Sequence, residues 1–110
     1  MHKIQPFVAT LRHAEKYQSL AGGSPLTFGI KSGHVTLKPG ESIGAHVTEA
    51  KEELIIILRG RAEIICGGQP SLRVKAGSVV YIPPETSHDV KNIGKGTLGY
   101  IFVTSPVKTR

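Results

Sequence analysis

The sequence predicts a single all-β domain, built as an antiparallel sandwich or barrel. At 110 residues the chain is long enough for one hydrophobic core but not for two. From residue 26 onward, apolar and polar residues alternate with a period of two in short segments. No long helical segment separates them, and 13 glycines and 7 prolines supply frequent turns. These observations favour antiparallel strands.

Nine strands are predicted, and glycine, proline or serine turns separate most of them. Their ranges are 26–31, 33–38, 43–48, 53–59, 62–66, 71–75, 79–82, 87–92 and 97–103. Residues 1–25 are expected to form an N-terminal extension, either irregular or with a short helix over 11–20, and residues 26–110 the barrel. A short echo between 38–43 and 75–80 fits a barrel of two similar halves.

Composition argues against a nucleic-acid-binding protein, a thiol enzyme and a membrane protein. The formal charge is +6, but the basic residues are scattered without a run of five, so we expect solvated surface and no nucleic-acid partner. The single cysteine, Cys66, lies in an apolar segment and is interpreted as a buried hydrophobe, not a catalytic thiol. The longest aliphatic run, 54–58, is far too short for a membrane span or a signal peptide. A soluble, cytoplasmic protein is expected.

Polar side chains with metal-binding chemistry occur beside a strand that must be buried. His46 shares a strand face with Thr48, and Glu53 begins the apolar strand with Ile55 on its face. If these two strands pair as a hairpin, His46, Thr48 and Glu53 converge inside, while Glu52 points outward. A carboxylate that enters an apolar strand requires a cation or hydrogen-bond donors.

A second histidine, His88, follows a stiff proline turn and shares its face with Val90 and Asn92. Taken alone, each histidine has an ordinary interpretation, as a solvated loop residue or as a core residue bonded to a carbonyl. Together with Glu53 they form a set that can bind a divalent metal. The residues expected to line the cavity around that set are Thr48, Tyr81, Ile55, Val90 and Asn92.

The spacing of these residues resembles the two motifs of the cupin family. The first motif is matched by Gly40, His46, Glu53 and Gly60, with spacings of five, six and six residues between Gly40 and His46, His46 and Glu53, and Glu53 and Gly60. The second is matched by Gly77, Pro83, His88 and Asn92. The resemblance covers residues 40–92, about half of the chain. It implies a double-stranded β-helix, or jelly-roll barrel, with a short N-terminal extension.

Two positions depart from the family pattern. Thr48 stands where the first motif usually has a second histidine, and Glu85 stands where the second motif usually has a glycine. Three histidines and a glutamate bind the metal in this family, so the resemblance implies only His46, Glu53 and His88 as ligands here. Thr48 could still bond a metal-bound water, and Glu49 could replace the lost ligand if the strand ends or bulges there.

Two functions remain open from the sequence. One is a metal-dependent enzyme that acts on a small polar molecule by dioxygenase, isomerase or lyase chemistry, with Fe, Mn, Zn or Ni as the ion. Glu49 and Tyr81 are its candidate acid–base groups. The other is a non-catalytic small-ligand-binding module that is metal-free or binds metal weakly, because Thr48 replaces a ligand histidine.

Three weaker expectations complete the sequence analysis. Tyr81 and Tyr100 could reach the cavity with their hydroxyl groups, although barrel packing explains both equally well. His34 is expected to be a solvated turn residue. The outward positions of the 53–59 strand are aliphatic, which predicts a covered surface, either in a homodimer or beneath the folded-back N-terminal segment; they are Leu54, Ile56 and Leu58.

Overall fold

The computed structural model describes residues 3–12 and 16–108, and within them it contains strands and no helix. The predicted all-β class is therefore confirmed. The strands are β1 (Tyr17–Gly22), β2 (Lys31–Leu37), β3 (His46–Val47), β4 (Lys51–Arg59), β5 (Arg61–Cys66), β6 (Leu72–Lys75), β7 (Val79–Ile82), β8 (Ser87–Asn92) and β9 (Leu98–Pro106). Across these residues there is accordingly no helix that could cross a membrane.

The strands form two antiparallel sheets that pack face to face. The five-stranded sheet has the order β1-β2-β9-β4-β7, and the four-stranded sheet has the order β3-β8-β5-β6. Apart from the consecutive pairs β1-β2 and β5-β6, neighbours in each sheet are distant in sequence, as in a double-stranded β-helix, the predicted jelly-roll barrel. The core lies between the sheets, because buried aliphatic residues of β2, β4 and β9 pack with those of β5 and β8.

Strand β4 shows how the sequence determines the core. Its inward residues Ile55 and Ile57 are fully buried, whereas Leu54 and Leu58 on the opposite face are 41% and 43% exposed. Burial of each inward side chain contributes about 1.5–3 kcal/mol to folding. Cys66, expected to be a buried hydrophobe, is only partly buried and packs against this core.

One end of the barrel is closed by the amide of Asn92. Its Nδ2 donates to the carbonyl oxygens of Leu37 and Gly96, each at 2.9 Å, and its Oδ1 accepts from the Gly94 amide. The bond to Leu37 joins the two sheets. Nearby, Gly60 has φ 87°, and a Cβ there would lie 2.7 Å from the Thr97 carbonyl oxygen, so this turn requires glycine.

The N-terminal extension differs from its prediction, because part of it is a strand. Residues 17–22, expected to be irregular or helical, pair with β2 as an additional edge strand, which satisfies their backbone groups in the ladder. The side chain of Gln18 in β1 donates to the Thr10 carbonyl and accepts from the Arg12 amide. Residues 10–12 therefore lie against the outer face of β1. Residues 13–15 of the predicted helix lie outside the described residues.

Two predicted strands also need correction. Residues 26–30 form a loop, in which the Thr27 hydroxyl accepts from the Gly29 amide and donates to the Ile30 carbonyl, and β2 begins only at Lys31. His34, expected in a solvated turn, lies within β2 and is 3% exposed. The 43–48 strand is reduced to two residues, which pair with β8 and not with β4.

Candidate metal centre and its cavity

The two motif histidines lie side by side on the four-stranded sheet. His46 of β3 and His88 of β8 are direct partners in the antiparallel register, and their ring centroids are 4.2 Å apart. In each ring Nδ1 lies close to a carbonyl oxygen two residues upstream: 3.0 Å to Gly44 for His46 and 3.2 Å to Thr86 for His88. If each Nδ1–H donates to that carbonyl, both Nε2 atoms present lone pairs to the barrel interior.

Glu53 reaches the same point from the five-stranded sheet. It is the first buried residue of β4, and its Oε1 lies 3.2 Å from Nε2 of His88. Ligand atoms of His46, Glu53 and His88 all lie within 4.8 Å of one another. The expected convergence therefore occurs, but it occurs between the two sheets and not within the predicted hairpin.

The contact between His88 and Glu53 sets the electrostatics of the site. Burial by itself would lower the pKa of His88, but the Glu53 carboxylate and the Thr86 carbonyl outweigh it and leave that pKa raised. Nε2 of His88 is buried and forms no hydrogen bond of good geometry. With Nδ1 donating to Thr86, a neutral His88 would place a lone pair against a carboxylate oxygen. A proton or a metal cation between the two groups removes that conflict, so the residues fit a metal ion.

The hydroxyl group of Thr48, which stands in place of a ligand histidine, forms hydrogen bonds with the backbone. Its Oγ1 donates to the Pro83 carbonyl at 2.7 Å and accepts from the Thr86 amide at 3.0 Å. The side chain lines the cavity and is 6% exposed. Its proton is donated to Pro83, so Thr48 joins the end of β3 to the turn before His88.

Glu49 and Glu85 occupy unusual backbone conformations beside the site. Their φ angles are 56° and 55°, in the left-handed region, and the Glu85 amide donates to the Glu49 carbonyl at 2.8 Å. The glycine that the family has at position 85 therefore corresponds to a turn that still needs positive φ. Because β3 ends at Val47, Glu49 is turned toward the cavity, although it is not part of the three-residue cluster.

The cavity beside this cluster has a volume of about 390 Å³. Of the residues expected to line it, Thr48 and Val90 do so, whereas Ile55 lies in the core and Asn92 at the closed end. The remaining lining residues are Tyr17, Lys31, Val35, Ile43, His46, Val47, Glu49, Lys51, Glu53, Tyr100, Phe102 and Thr104.

The two strand tyrosines lie on opposite sides of the sheet. Tyr81 was expected in the cavity but lies outside, 53% exposed, because β7 alternation places it on the outer face, where its hydroxyl donates to Glu52. Glu52 thus points outward, as the sequence predicts. Tyr100 lines the cavity wall, where burial first, and then the charges of Glu53 and Asp89, raise its pKa far above the ordinary value.

Sequence reasoning missed two lysines and two aromatic residues of the cavity, Lys31, Lys51, Tyr17 and Phe102. The signal for Lys51 was present, since it lies two residues before Glu53 and so on the same face of β4. The predicted strand 53–59 begins two residues too late to include Lys51. Tyr17 could not be found in the same way, because β1 was not predicted as a strand. The signal for Phe102 was present, since it lies in the predicted strand 97–103 on the same face as Tyr100.

Comparison with known proteins agrees with this geometry. The sequence profile of the cupin domain matches residues 33–104, well over half of the chain. An RmlC-like cupin family protein with a double-stranded β-helix fold from Methanocaldococcus jannaschii superimposes with a TM-score of 0.76 and 22% identity, over 96% of this chain and 94% of that one. At that identity the likeness concerns the fold alone.

Two relatives are similar in sequence. The protein named polyketide synthase CurC of Streptomyces cyaneus is 28% identical over 97% of this chain and 74% of its own length. An oxalate-binding protein of Thermotoga maritima is 33% identical over 61% of this chain and 54% of its own length. The second match thus spans about half of that relative.

Proposed function

The chain belongs to the cupin family, and from that premise we propose that it binds a divalent transition metal through His46, Glu53 and His88 and acts on a small polar molecule. The observation that carries the proposal is the 3.2 Å approach of Nε2 of His88 to Oε1 of Glu53 without a hydrogen bond of good geometry. Two imidazoles and one carboxylate suit Fe, Mn, Zn and Ni alike, so the donor set does not select among them.

A bound divalent ion would polarise an oxygen atom of the substrate as a Lewis acid, and iron would add redox chemistry. The chain supplies the surroundings for that step. The cavity is open at one end and apolar along Val35, Ile43 and Val90, which reduces water around a bound molecule. Dioxygenase, isomerase and lyase chemistry are all compatible with this arrangement.

Glu49 is the acid–base group that we assign to the enzyme. Tyr81, the other candidate from the sequence, is excluded by its position on the outer face. The Glu49 side chain is exposed and lines the cavity beside the ligand cluster, where it can take a proton from a bound molecule and release it to solvent. The positive φ angle of Glu49 supports this role, since residues in the left-handed region are concentrated at functional sites.

The test is metal analysis of protein purified without a metal-affinity tag, followed by titration of metal-free protein with Zn²⁺ and Mn²⁺. Glu53→Gln should weaken metal binding by at least about a hundredfold, since even partners of ligands contribute tenfold or more. Glu52→Gln is the matched control, because the neighbouring carboxylate points outward and should leave metal affinity unchanged. Equal affinity of the two variants, or wild-type protein that cannot be loaded, would overturn the proposal.

A second function, a non-catalytic small-ligand-binding module, is favoured by Thr48. Its hydroxyl is used by Pro83 and Thr86 and adds no ligand, so the ion would be held by three side chains. Thr48→His would test the difference: a clear gain in metal affinity indicates a site weakened by the natural residue. Turnover by the Thr48→His variant, but not by wild type, of a candidate substrate would favour the binding module.

We also propose a cytoplasmic homodimer. The exposed aliphatic side chains Leu54, Leu58 and Val79 form an apolar outer face on β4 and β7, whereas the N-terminal segment lies over Gln18 on another strand. Light scattering at micromolar concentration should give twice the monomer mass, and Leu54→Lys should reduce it. Monomeric wild-type protein would contradict this part of the proposal.

A further inference from the structure

Two lysines flank the ligand cluster on the inner face of the five-stranded sheet. Lys31 of β2 is paired with Thr104 of β9, and Thr104 is paired with Glu53 of β4, so the three residues form one row across the sheet. Lys51 lies two residues before Glu53 and so shares its face. Both lysine side chains line the cavity that contains the cluster.

Neither ammonium group is neutralised by a carboxylate within residues 3–12 and 16–108. No ion pair joins Lys31 or Lys51 to a carboxylate of the residues the structure describes, whereas Lys16 does pair with Glu41 at 3.3 Å. Two carboxylates line the same cavity. Glu53 is engaged with His88, which leaves exposed Glu49 as the one carboxylate opposing the two lysines. Both ammonium groups therefore stay available to a bound anion.

The wall between the lysines and the cavity interior is apolar and aromatic. The rings of Tyr17 and Phe102 stack with centroids 6.2 Å apart and an interplanar angle of 21°. Tyr17 is 47% exposed, so much of its ring surface is open to a bound molecule. A ligand that satisfies both surfaces needs an anionic group and an apolar or aromatic body.

We propose that Lys31 and Lys51 form an anion subsite, and that the cavity takes a small organic anion whose charged group faces these lysines and whose body lies along Tyr17 and Phe102. The two point charges would accept a carboxylate or a phosphate, since an ammonium group provides charge without a fixed donor geometry. The inference rests on the proposed function only in using the same cavity. Charge recognition by the lysines does not require a metal.

The experiment measures binding of three probes of similar shape by NMR titration of the full chain: benzoate, phenyl phosphate and neutral benzamide. In both metal-free and Zn²⁺-treated protein, the anions should bind more tightly than benzamide, and added salt should reduce the difference. Lys31→Gln and Lys51→Gln should each weaken anion binding by about two- to fivefold, and the double variant by about tenfold. Benzamide binding should not change.

Lys95→Gln is the matched control, because it removes the same charge at the other end of the barrel. Lys95 is exposed and precedes the start of β9, whereas Thr104 beside Lys31 lies six residues further along that strand, about 20 Å away. Equal losses in all three variants would reduce the effect to net charge and overturn the inference, as would wild-type protein with no preference for the anions. Zn²⁺ affinity of each variant, measured separately, reports on the proposed metal site, so either proposal can fail alone.

Discussion

The two ends of the barrel are built from the same strands and differ in what alternation places inside them. At the closed end, inward positions carry Leu37, Ile57 and Leu98, and the amide of Asn92 is fully bonded. At the open end, inward positions of the same sheets carry Lys31, Glu53 and His88. The closed end thus satisfies its polar groups internally, and the open end does not.

The closed end of the barrel contributes mainly to folding stability, and the open end contributes mainly to binding. Buried polar groups are expected to be paired, and Asn92 follows that rule with three backbone partners. Nε2 of His88 does not follow it, and this atom lies against Glu53, which lines the cavity. Substitutions at the closed end should therefore change folding, and those at the open end should change binding.

The largest effect on stability should come from Asn92→Ala. The substitution removes three hydrogen bonds, the buried one to Leu37 and the partly buried ones to Gly96 and Gly94, at about 1 kcal/mol each. We expect the free energy of unfolding to fall by about 3 kcal/mol in denaturant titrations, with Zn²⁺ affinity unchanged in the folded protein. A loss of metal affinity would mean that the two ends are coupled.

Thr48 lies at the open end but plays a structural part, and a pair of variants can show this. Thr48→Val removes the bonds to Pro83 and Thr86 and should lower the free energy of unfolding by about 2 kcal/mol. Thr48→Ser keeps the hydroxyl and should lose much less. A larger loss in Thr48→Ser than in Thr48→Val would assign the effect to packing of the methyl group instead, because valine keeps that group and serine does not.

The pH dependence of stability provides a third test. The folded pKa of His88 is raised above its ordinary value of 6.5, so the protonated form stabilises the metal-free fold. That contribution is fully present below pH 6.5 and is lost as pH rises through the folded pKa. Metal-free protein should therefore become less stable as pH rises above 6.5, whereas Zn²⁺, which competes with the proton, should bind more tightly over the same rise.

Two comparisons isolate the contribution of His88 in this test. Glu41 has a lowered pKa, caused mainly by its bond to the Lys38 amide, and its contribution to stability is lost only at more acidic pH. Glu53→Gln removes the carboxylate that holds the proton on His88 and should flatten the change. An unchanged slope in Glu53→Gln would assign the pH dependence to another group.

The smallest effect is expected at Glu85. A φ of 55° destabilises the folded state by about 1 kcal/mol for a non-glycine residue. Glycine avoids this strain, but its greater chain entropy in the unfolded state offsets part of the gain. Glu85→Gly should therefore raise the free energy of unfolding by about 0.5 kcal/mol, and Glu85→Ala should not. A loss of stability in Glu85→Gly would show that the Glu85 side chain contributes to the fold.

Much of the barrel was predictable because its signals are local. Alternation over 53–59 gave the inward and outward faces of β4 correctly, and motif spacing assembled His46, Glu53 and His88. Pairing between distant strands was not predictable. The assumed hairpin of β3 with β4 was wrong, since β3 pairs with β8, and β1 was missed because its six residues are stabilised by β2 and not by their own pattern.

The division of the three donor side chains between the two sheets has a consequence for the dynamics of the barrel. His46 and His88 belong to one sheet and Glu53 to the other, so an ion held by all three would act as a removable cross-link. Unlike a disulfide, it would be released on unfolding, so it would stabilise the folded state through its binding free energy. Loss of the ion would then increase local opening at the open end. At the closed end, the hydrogen bond from Asn92 to Leu37 would still join the two sheets.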